Sequence, residues 1–590
     1  MIVIFDIECY SNYFLIGFKS VDTSKKIYFE MHNDNKENFS KTKIKALMEK
    51  HTFVGFNSEK YDILMIKGAL LGFNNLQLKK LSDAIINTNK PHWEIERQFN
   101  LPRLTVDHID VCNVSAGFGS LKLYGGRLNS RKLQDLPIEP SSVISTSDAK
   151  QLRDYCLNGD LELTQDLYEA LLPQINLRTK MTEQYGLDLM SKSDAQIAEA
   201  VFKHELSAAG VDVHRVNIPE GTEFKYTIPT FIKFESDEFK QALADVKDAV
   251  FVVNDKGSVI LPKILSKAYA FNNAKYKMGM GGLHSQEKLQ SIEVDPGQTL
   301  VDKDVTSYYP NIILNQGLFP KHLTTGFNQV YRSIVSRRIH AKATGDKVTN
   351  ESLKVTINSS FGKFGSKYSI LYSPDLLIQT TVTGQLSLMM LIEQLESIPG
   401  VKVYSANTDG IVLLFDNSLA NKVEAVCFDW EADTGFDLED TFYKALYSRD
   451  VNNYLAVKPD NSAKGKGMFT LNSISKNPSN VICYQAVIDY LVNGCDIEAT
   501  IYACENVTKF TSIRTVNGGA VFENEVIGKS IRWYYAKNQT GCISYAKNNN
   551  KVPKTDGARP MMELTDTIPV DLDYDYYIAE AKTILASLGL

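Results

Sequence analysis

Three groups of side chains in this sequence have types and spacings suited to holding metal ions over phosphate. The first centres on Asp304, which follows the apolar run Thr299-Leu300-Val301 and precedes Ser307-Tyr308-Tyr309-Pro310. Period-2 alternation before Asp304 predicts a strand, and Pro310, which has no N–H to donate, fits a helix start. Asp304 is therefore expected at a strand end on the rim of a cleft, where a carboxylate can hold a divalent cation. The second group is the turn Asn407-Thr408-Asp409-Gly410, flanked by β-rich arms over residues 402–415. That pattern predicts a hairpin, and Asp409 opposite Asp304 would complete a two-metal clamp. The third is Asp6 and Glu8, at i and i+2 on one face of a predicted strand. Their like charges repel, so the pair asks for cations, and two divalent metals about 4 Å apart would supply them. For any one of these residues the plain alternative is a solvated turn or strand face.

Other elements must bring partners to these carboxylates. Asn57 to Asp62 ends one strand and opens a helix through Met65, so Asp62 lies in a first turn from which it can reach the Asp6/Glu8 metals. The helix macrodipole alone would also favour an acid there. Residues 153–164 have helical apolar spacing and present Tyr155 and Asp160, a tyrosine and an acid able to hold a water at the same metals. Between Lys321 and Lys367 nine cations face two anions. Helices are predicted from Phe327 to Lys342 and from about Asn350 to Gly362, with Arg338/Lys342 and Lys354/Asn358 each at i, i+4. As an antiparallel pair they would present all four residues to one groove, a set suited to a triphosphate. Amphipathic stretches near 180–208 and 235–250 are predicted to be linking helices. The glycine-rich 276–284 reads as a tight turn. In Arg532-Trp533-Tyr534-Tyr535, cations mix with aromatics, which suits either nucleic-acid contact or a core strand.

At 590 residues the chain exceeds one core, and about three or four domains are expected. No apolar run is expected to span a membrane, and the opening Met1-Ile2-Val3-Ile4-Phe5-Asp6 reads as a strand and not a signal peptide. The eight cysteines stand singly, without CxxC pairs, which argues against structural zinc or a disulfide framework and fits the cytoplasm. The net charge of −6 gives no global sign of a nucleic-acid partner.

Taken in order, Asp6/Glu8, Asp62 and Tyr155/Asp160, then Asp304 with Ser307-Tyr308-Tyr309-Pro310, Lys354-to-Gly362 and Thr408-Asp409 resemble the motifs of family B DNA polymerases that carry an N-terminal 3′–5′ proofreading exonuclease. The likeness is closest to small phage-encoded members and covers about residues 1–470. It implies an α/β and α+β multidomain fold, an RNase H-like exonuclease followed by a right-hand polymerase. The expected parts are 1–175 exonuclease, 176–290 linker and N-terminal palm, 291–314 palm, 315–365 fingers, 366–470 palm and 471–590 thumb. It further implies magnesium, two ions per active site, with manganese as a substitute. Asp304, Asp409 and the Val305 carbonyl would hold them in the polymerase. Asp6, Glu8, Asp62 and Asp160 would do so in the exonuclease, where Tyr155 orients the attacking water. Arg338, Lys354 and Lys342 would clamp the triphosphate and Asn358 would line the nucleotide pocket beside Ser307 and Tyr308. Tyr309 would stack beneath the sugar and exclude a 2′-hydroxyl. Tyr454, Lys464 and Lys466 would touch primer-template DNA, and the 276–284 loop would touch template. The partners implied are primer-template DNA and dNTPs acting on a monomer in the host cytoplasm, with helicase, primase or single-strand-binding protein as helpers.

The sequence departs from the family pattern at three places. Tyr155 and Asp160 are five apart where the family has four, and a π-turn at Gly159 would restore the shared face. Asn407 replaces an acid, which points to altered metal preference. Asn452 replaces the lysine of a Lys-x-Tyr element, and Arg449 or Lys464 is the expected substitute. Only 50 residues separate Asp304 from Lys354, too few for the extra subdomain of protein-primed relatives, so no terminal protein and weak strand displacement are expected. Two alternatives stand beside this reading: a reverse transcriptase-like polymerase, and a non-catalytic primer-template binding protein.

Overall fold

The computed structural model describes residues 1–88, 90–272, 274–287, 289–471 and 473–590. It is a mixed α/β chain of two compact units. One comprises Met1–Ser193, Asn472–Cys483 and Glu498–Ala579; the other comprises Asp194–Leu471, Tyr484–Ile497 and Glu580–Leu590.

The first unit is built on a five-stranded sheet. Its order is Lys26–His32, Tyr13–Ser20, Ile2–Cys9, Thr52–Gly55, His108–Asp110, antiparallel on one side of Ile2–Cys9 and parallel on the other. Alternation along Ile2–Cys9 sends Val3, Phe5 and Ile7 into one apolar layer and Ile4 into the opposite one. Asp6 and Glu8 share the Ile4 side. The helix Thr146–Tyr155 starts at a capping box of Ser145 and Asp148 and runs into a π-helical turn, Cys156–Asp160, before Leu161–Ala170 resumes the α-helix. The π-turn foreseen around Gly159 is thus present.

Residues 498–579 pack onto this same unit. Arg532, fully buried, donates to the carbonyls of Ser130, Arg131, Met561 and Met562, and Ile513 joins the core around Tyr124 and Leu163. Of the two uses foreseen for Arg532-Trp533-Tyr534-Tyr535, the segment takes the core strand, Glu525–Tyr535.

The second unit is built on a seven-stranded antiparallel sheet: Leu438–Tyr443, Gln298–Val305, Gly410–Asp416, Lys402–Asn407, His284–Ser285, Ala274–Lys277, Ala268–Phe271. One helix, Pro374–Glu396, is long and apolar enough to cross a membrane by length and composition, contrary to the sequence expectation, but 83% of that stretch is buried inside the protein. Its Leu386, Met389 and Leu391 belong to the core that also takes Val301 and Val305 from the sheet. Each such buried side chain contributes roughly 1.5–3 kcal/mol. A smaller sheet, Gln290–Glu293, Ala445–Asp450, Asn453–Val457 and Ala463–Lys466, shares a core with the opposite face through Leu300, Leu446 and Ala456.

The two basic helices are Gly326–Thr344 and Lys347–Phe364, with Gly345 in the left-handed conformation at the break. The helix Asp194–Ala208 braces them. Phe202 stacks on Phe327 and Tyr331, while Glu205 pairs with Arg337 at 2.6 Å and Glu199 with Lys363 at 2.8 Å.

Candidate active sites

In the first unit, single ligand oxygens of Asp6, Glu8 and Asp160 all lie within 4.8 Å of one another. The π-turn makes this possible, because its extra residue rotates Asp160 back onto the face of Tyr155. Asp62 is buried in the first turn of its helix, where burial and the neighbouring Asp6 push its carboxyl well up, but it is not part of the close trio. Desolvation raises Asp6 to about 6 against the pull of Lys122, and raises Glu8 well above the usual range with help from Asp6. These are carboxylates waiting for positive charge.

The charge now beside them is Lys122. Its ammonium pairs with Asp160 and sits 4.8 Å from the centre of the Tyr155 ring, and burial lowers it to about 8. Lys122 is not among the residues expected from the sequence. It lies in the short helix Leu121–Arg127, and its apolar neighbours Leu121, Leu123 and Tyr124 were the only sign that this helix is buried.

In the second unit, strand pairing puts Asp304 opposite Gly410, and the Val305 N–H donates to the Asp409 carbonyl at 2.7 Å. Asp304, near the end of its strand, and Asp409, in the turn that opens the neighbouring strand Gly410–Asp416, thus lie at one end of the sheet. A Cβ at residue 410 would collide with Asp304 Oδ1, so glycine is required for the carboxylate to lie where it does. Burial raises both aspartates, and the Asp304 charge raises Asp409 further. A cleft of about 510 Å3 is lined by Asp302, Asp304 and Asp409 together with Tyr454, Lys464 and Lys466. Tyr454 pairs across strands with Lys466, whose ammonium is 5.9 Å from the ring centre.

Asp409 also lines a second recess of about 400 Å3 with Ser307, Tyr309, Arg338 and Asn358. Ser307 caps the helix Tyr308–Asn315 in the left-handed conformation, φ 48°, and takes a 3.4 Å hydrogen bond from Arg338. Arg338 Nε is buried without a partner, a donor left for something that enters the recess. Tyr309 stacks on Phe361 at 4.3 Å and donates to the Gly281 carbonyl at 2.5 Å. Tyr308 borders the recess but is buried, donating to the Gly384 carbonyl at 2.6 Å. Lys342 and Lys354 are not brought into the recess: Lys342 reaches Glu439 at 3.6 Å, and Lys354 is exposed on the facing helix.

Asn407 lines the cleft and donates to the Val451 carbonyl at 3.2 Å, which a carboxylate could not do. The glycine-rich loop packs on the Asn407–Gly410 turn: the Thr408 N–H donates to the Leu283 carbonyl, and Gln385 brackets Gly279 from both sides.

No family model matches the chain. It is 27% identical over 316 residues to a DNA polymerase of Pyramimonas orientalis virus, which is 49% of this chain and 24% of that protein. It is 32% identical over 123 residues to DNA polymerase 1 of Sulfurisphaera ohwakuensis, 20% of this chain and 14% of that one. Stretches of the chain are thus similar to stretches of DNA polymerases. DNA polymerase 1 of Sulfolobus acidocaldarius matches at 31% over 123 residues. In none of these polymerases does the match span more than 24% of the relative's length. The solved family B DNA polymerase of Pyrobaculum calidifontis aligns with a TM-score of 0.41 at 14% identity, over 100% of this chain and 77% of that one. Asp302, not among the residues expected from the sequence, stands two before Asp304, hence on the same strand face.

Proposed function

We propose that the chain is a template-directed DNA polymerase of the family B type with a 3′–5′ proofreading exonuclease, phage-encoded and acting in the host cytoplasm. The observation that carries the reading is that Asp409, one strand from Asp304, lines both the lysine-bearing cleft and the Arg338/Asn358 recess. One opening suits the primer end and the other a nucleotide, with a shared acid between them.

The donor set fits magnesium: hard carboxylate oxygens of Asp304 and Asp409, both raised by burial, with the Val305 backbone at the same strand end. Ions held there would neutralise the triphosphate and lower the barrier to attack by a primer 3′-hydroxyl. The protein's own part is positioning. Arg338 turns its guanidinium toward the recess, Asn358 edges the base, and Tyr309, fixed by Phe361 and Gly281, stands beneath the sugar. Lys464, Lys466 and Tyr454 take the primer-template backbone; of the expected thumb, 471–590, Tyr484–Ile497 and Glu580–Leu590 belong to the polymerase unit, and Glu498–Ala579 packs into the first unit instead. Asp6, Glu8, Asp160 and Asp62 would hold the exonuclease ions, with Tyr155 orienting water and Lys122 balancing charge.

Primer extension and primer degradation with magnesium and with manganese test the reading. Extension with dNTPs on DNA, without a terminal protein and with poor displacement of a downstream strand, is expected. Extension on RNA alone would favour a reverse transcriptase. Neither extension nor degradation with either metal would leave only primer-template binding.

A further inference from the structure

Asp302 has no assigned role, yet it lies in the catalytic cleft at 6% exposure. A third carboxylate beside Asp304 and Asp409 is costly, because each charge there disfavours the others. What stabilises it is visible. Tyr443 donates its hydroxyl to Asp302 Oδ2 at 2.8 Å, and the Lys464 ammonium stands 3.7 Å from the same oxygen. Lys464 is on the strand Ala463–Lys466, paired with Ala456, and half of its side chain is exposed. A long side chain at that exposure samples many rotamers unless something holds its tip. Tyr443 is itself buried and its strand pairs with that of Asp302, so the relay from Tyr443 to Asp302 to Lys464 is anchored at the sheet end.

We propose that Asp302 is a positioning residue: it holds the Lys464 ammonium in the cleft, where that ammonium takes a phosphate of the primer strand. The inference rests on the polymerase reading and adds to it a specific pair. It also accounts for the missing lysine of the Lys-x-Tyr element: a cation from the next strand, tethered by an acid that precedes Asp304 by two residues, fills the place that Asn452 leaves.

The sign of the effect separates this from simple electrostatics. Removing one negative charge near a DNA backbone should tighten binding. Removing a tether should loosen it. Binding of a fluorescent primer-template is measured without divalent ions, across a salt series, for the wild type, Asp302→Asn, Lys464→Met and the double variant. Steady-state extension is measured in parallel. Asp302→Asn keeps the shape and the Tyr443 hydrogen bond, and Lys464→Met changes a half-exposed side chain, so both variants are expected to fold. Each single variant should weaken primer-template binding roughly three- to tenfold, and the double variant should be no weaker than Lys464→Met alone. The slope of log Kd against log salt should become shallower by about 0.9 in each, one phosphate contact. In extension the primer-template KM should rise while kcat and the dNTP KM hold, and Lys464→Arg should restore most of the loss. Tighter binding by Asp302→Asn, or losses that add in the double variant, would overturn the proposal. So would intact DNA binding with extension lost and recovered in manganese, which would make Asp302 a metal ligand instead. If the wild-type chain fails to bind primer-template at all, the polymerase reading fails before this one is reached.

Discussion

In the first unit, Asp6, Glu8 and Asp160 converge with Glu8 and Asp160 buried, and Lys122, which pairs with Asp160, has a side chain only 13% exposed. In the second, Asp302, Asp304 and Asp409 line an open cleft and meet Lys464, 50% exposed, beside Lys466. Both clusters crowd carboxylates beyond what repulsion allows and temper them with ammonium groups. The difference lies in how freely those ammoniums move. A buried lysine must be displaced or outcompeted before ions settle, whereas a half-exposed one can swing toward an incoming phosphate. Under the proposed function, the first arrangement suits a site that admits one strand end at a time, and the second a site that releases and regrips DNA at each step.

The sharpest break of this comparison is to silence each cluster in turn. Asp304→Ala should slow primer extension at least ~10³-fold while leaving primer degradation intact; extension near the wild-type rate would remove Asp304 from the chemistry. Asp6→Ala with Glu8→Ala should do the reverse, cutting degradation by on the order of 10³ and sparing extension. Degradation persisting in the double variant would mean that the N-terminal trio is not its site.

A subtler break is Gly410→Ala. The added methyl must push Asp304 aside, and a displacement of about 1 Å at a reacting centre costs on the order of 10²-fold in extension. A variant of normal rate would show that Asp304 tolerates relocation. Arg338→Ala should raise the KM for dNTP by about tenfold, the loss of one charge-assisted hydrogen bond, with little change in primer-template affinity. If instead DNA affinity falls, the recess is not the nucleotide's.

The smallest effect concerns pH. Asp6 is raised to about 6 from 3.8 in the folded chain. Its contribution to stability is therefore fully present below about 3.8 and lost as pH rises through about 6. Without divalent ions, the melting temperature of the wild type relative to Asp6→Asn should fall by a few degrees between pH 4 and 7, and magnesium at pH 7.5 should recover part of it. A difference that grows with pH would show that Lys122 already neutralises the site.

Much of this is legible in the amino-acid sequence. Asp304 and Asp409 announced themselves because a strand end and a hairpin turn each have strong local signatures, and pairing then had to bring them together. The shift to Asp160 was legible for the same reason: an extra residue in a helix leaves few ways to keep a face. Lys122 was not: its apolar neighbours hint that the helix Leu121–Arg127 is buried, but nothing local says that the lysine itself turns inward to Asp160. Lys342 and Lys354 differ in the opposite sense: expected at the triphosphate, they do not line the recess. Their i, i+4 spacing with Arg338 and Asn358 is real, but which cations reach a groove depends on the crossing of two helices, a tertiary property. The segment around Arg532 looked as suited to DNA as to a core. Only the carbonyls of Ser130 and Arg131, some four hundred residues earlier in the chain, decide for the core.

That last contact bears on how the chain is made. The first unit receives Glu498–Ala579 only after the second unit's sheet has been synthesised. On a ribosome, the segment 1–193 must wait with the Ser130 and Arg131 carbonyls uncapped and the seat of Ile513 bare. A nascent chain stalled before residue 498 should therefore be the stage at which holding chaperones and proteases compete for it most strongly.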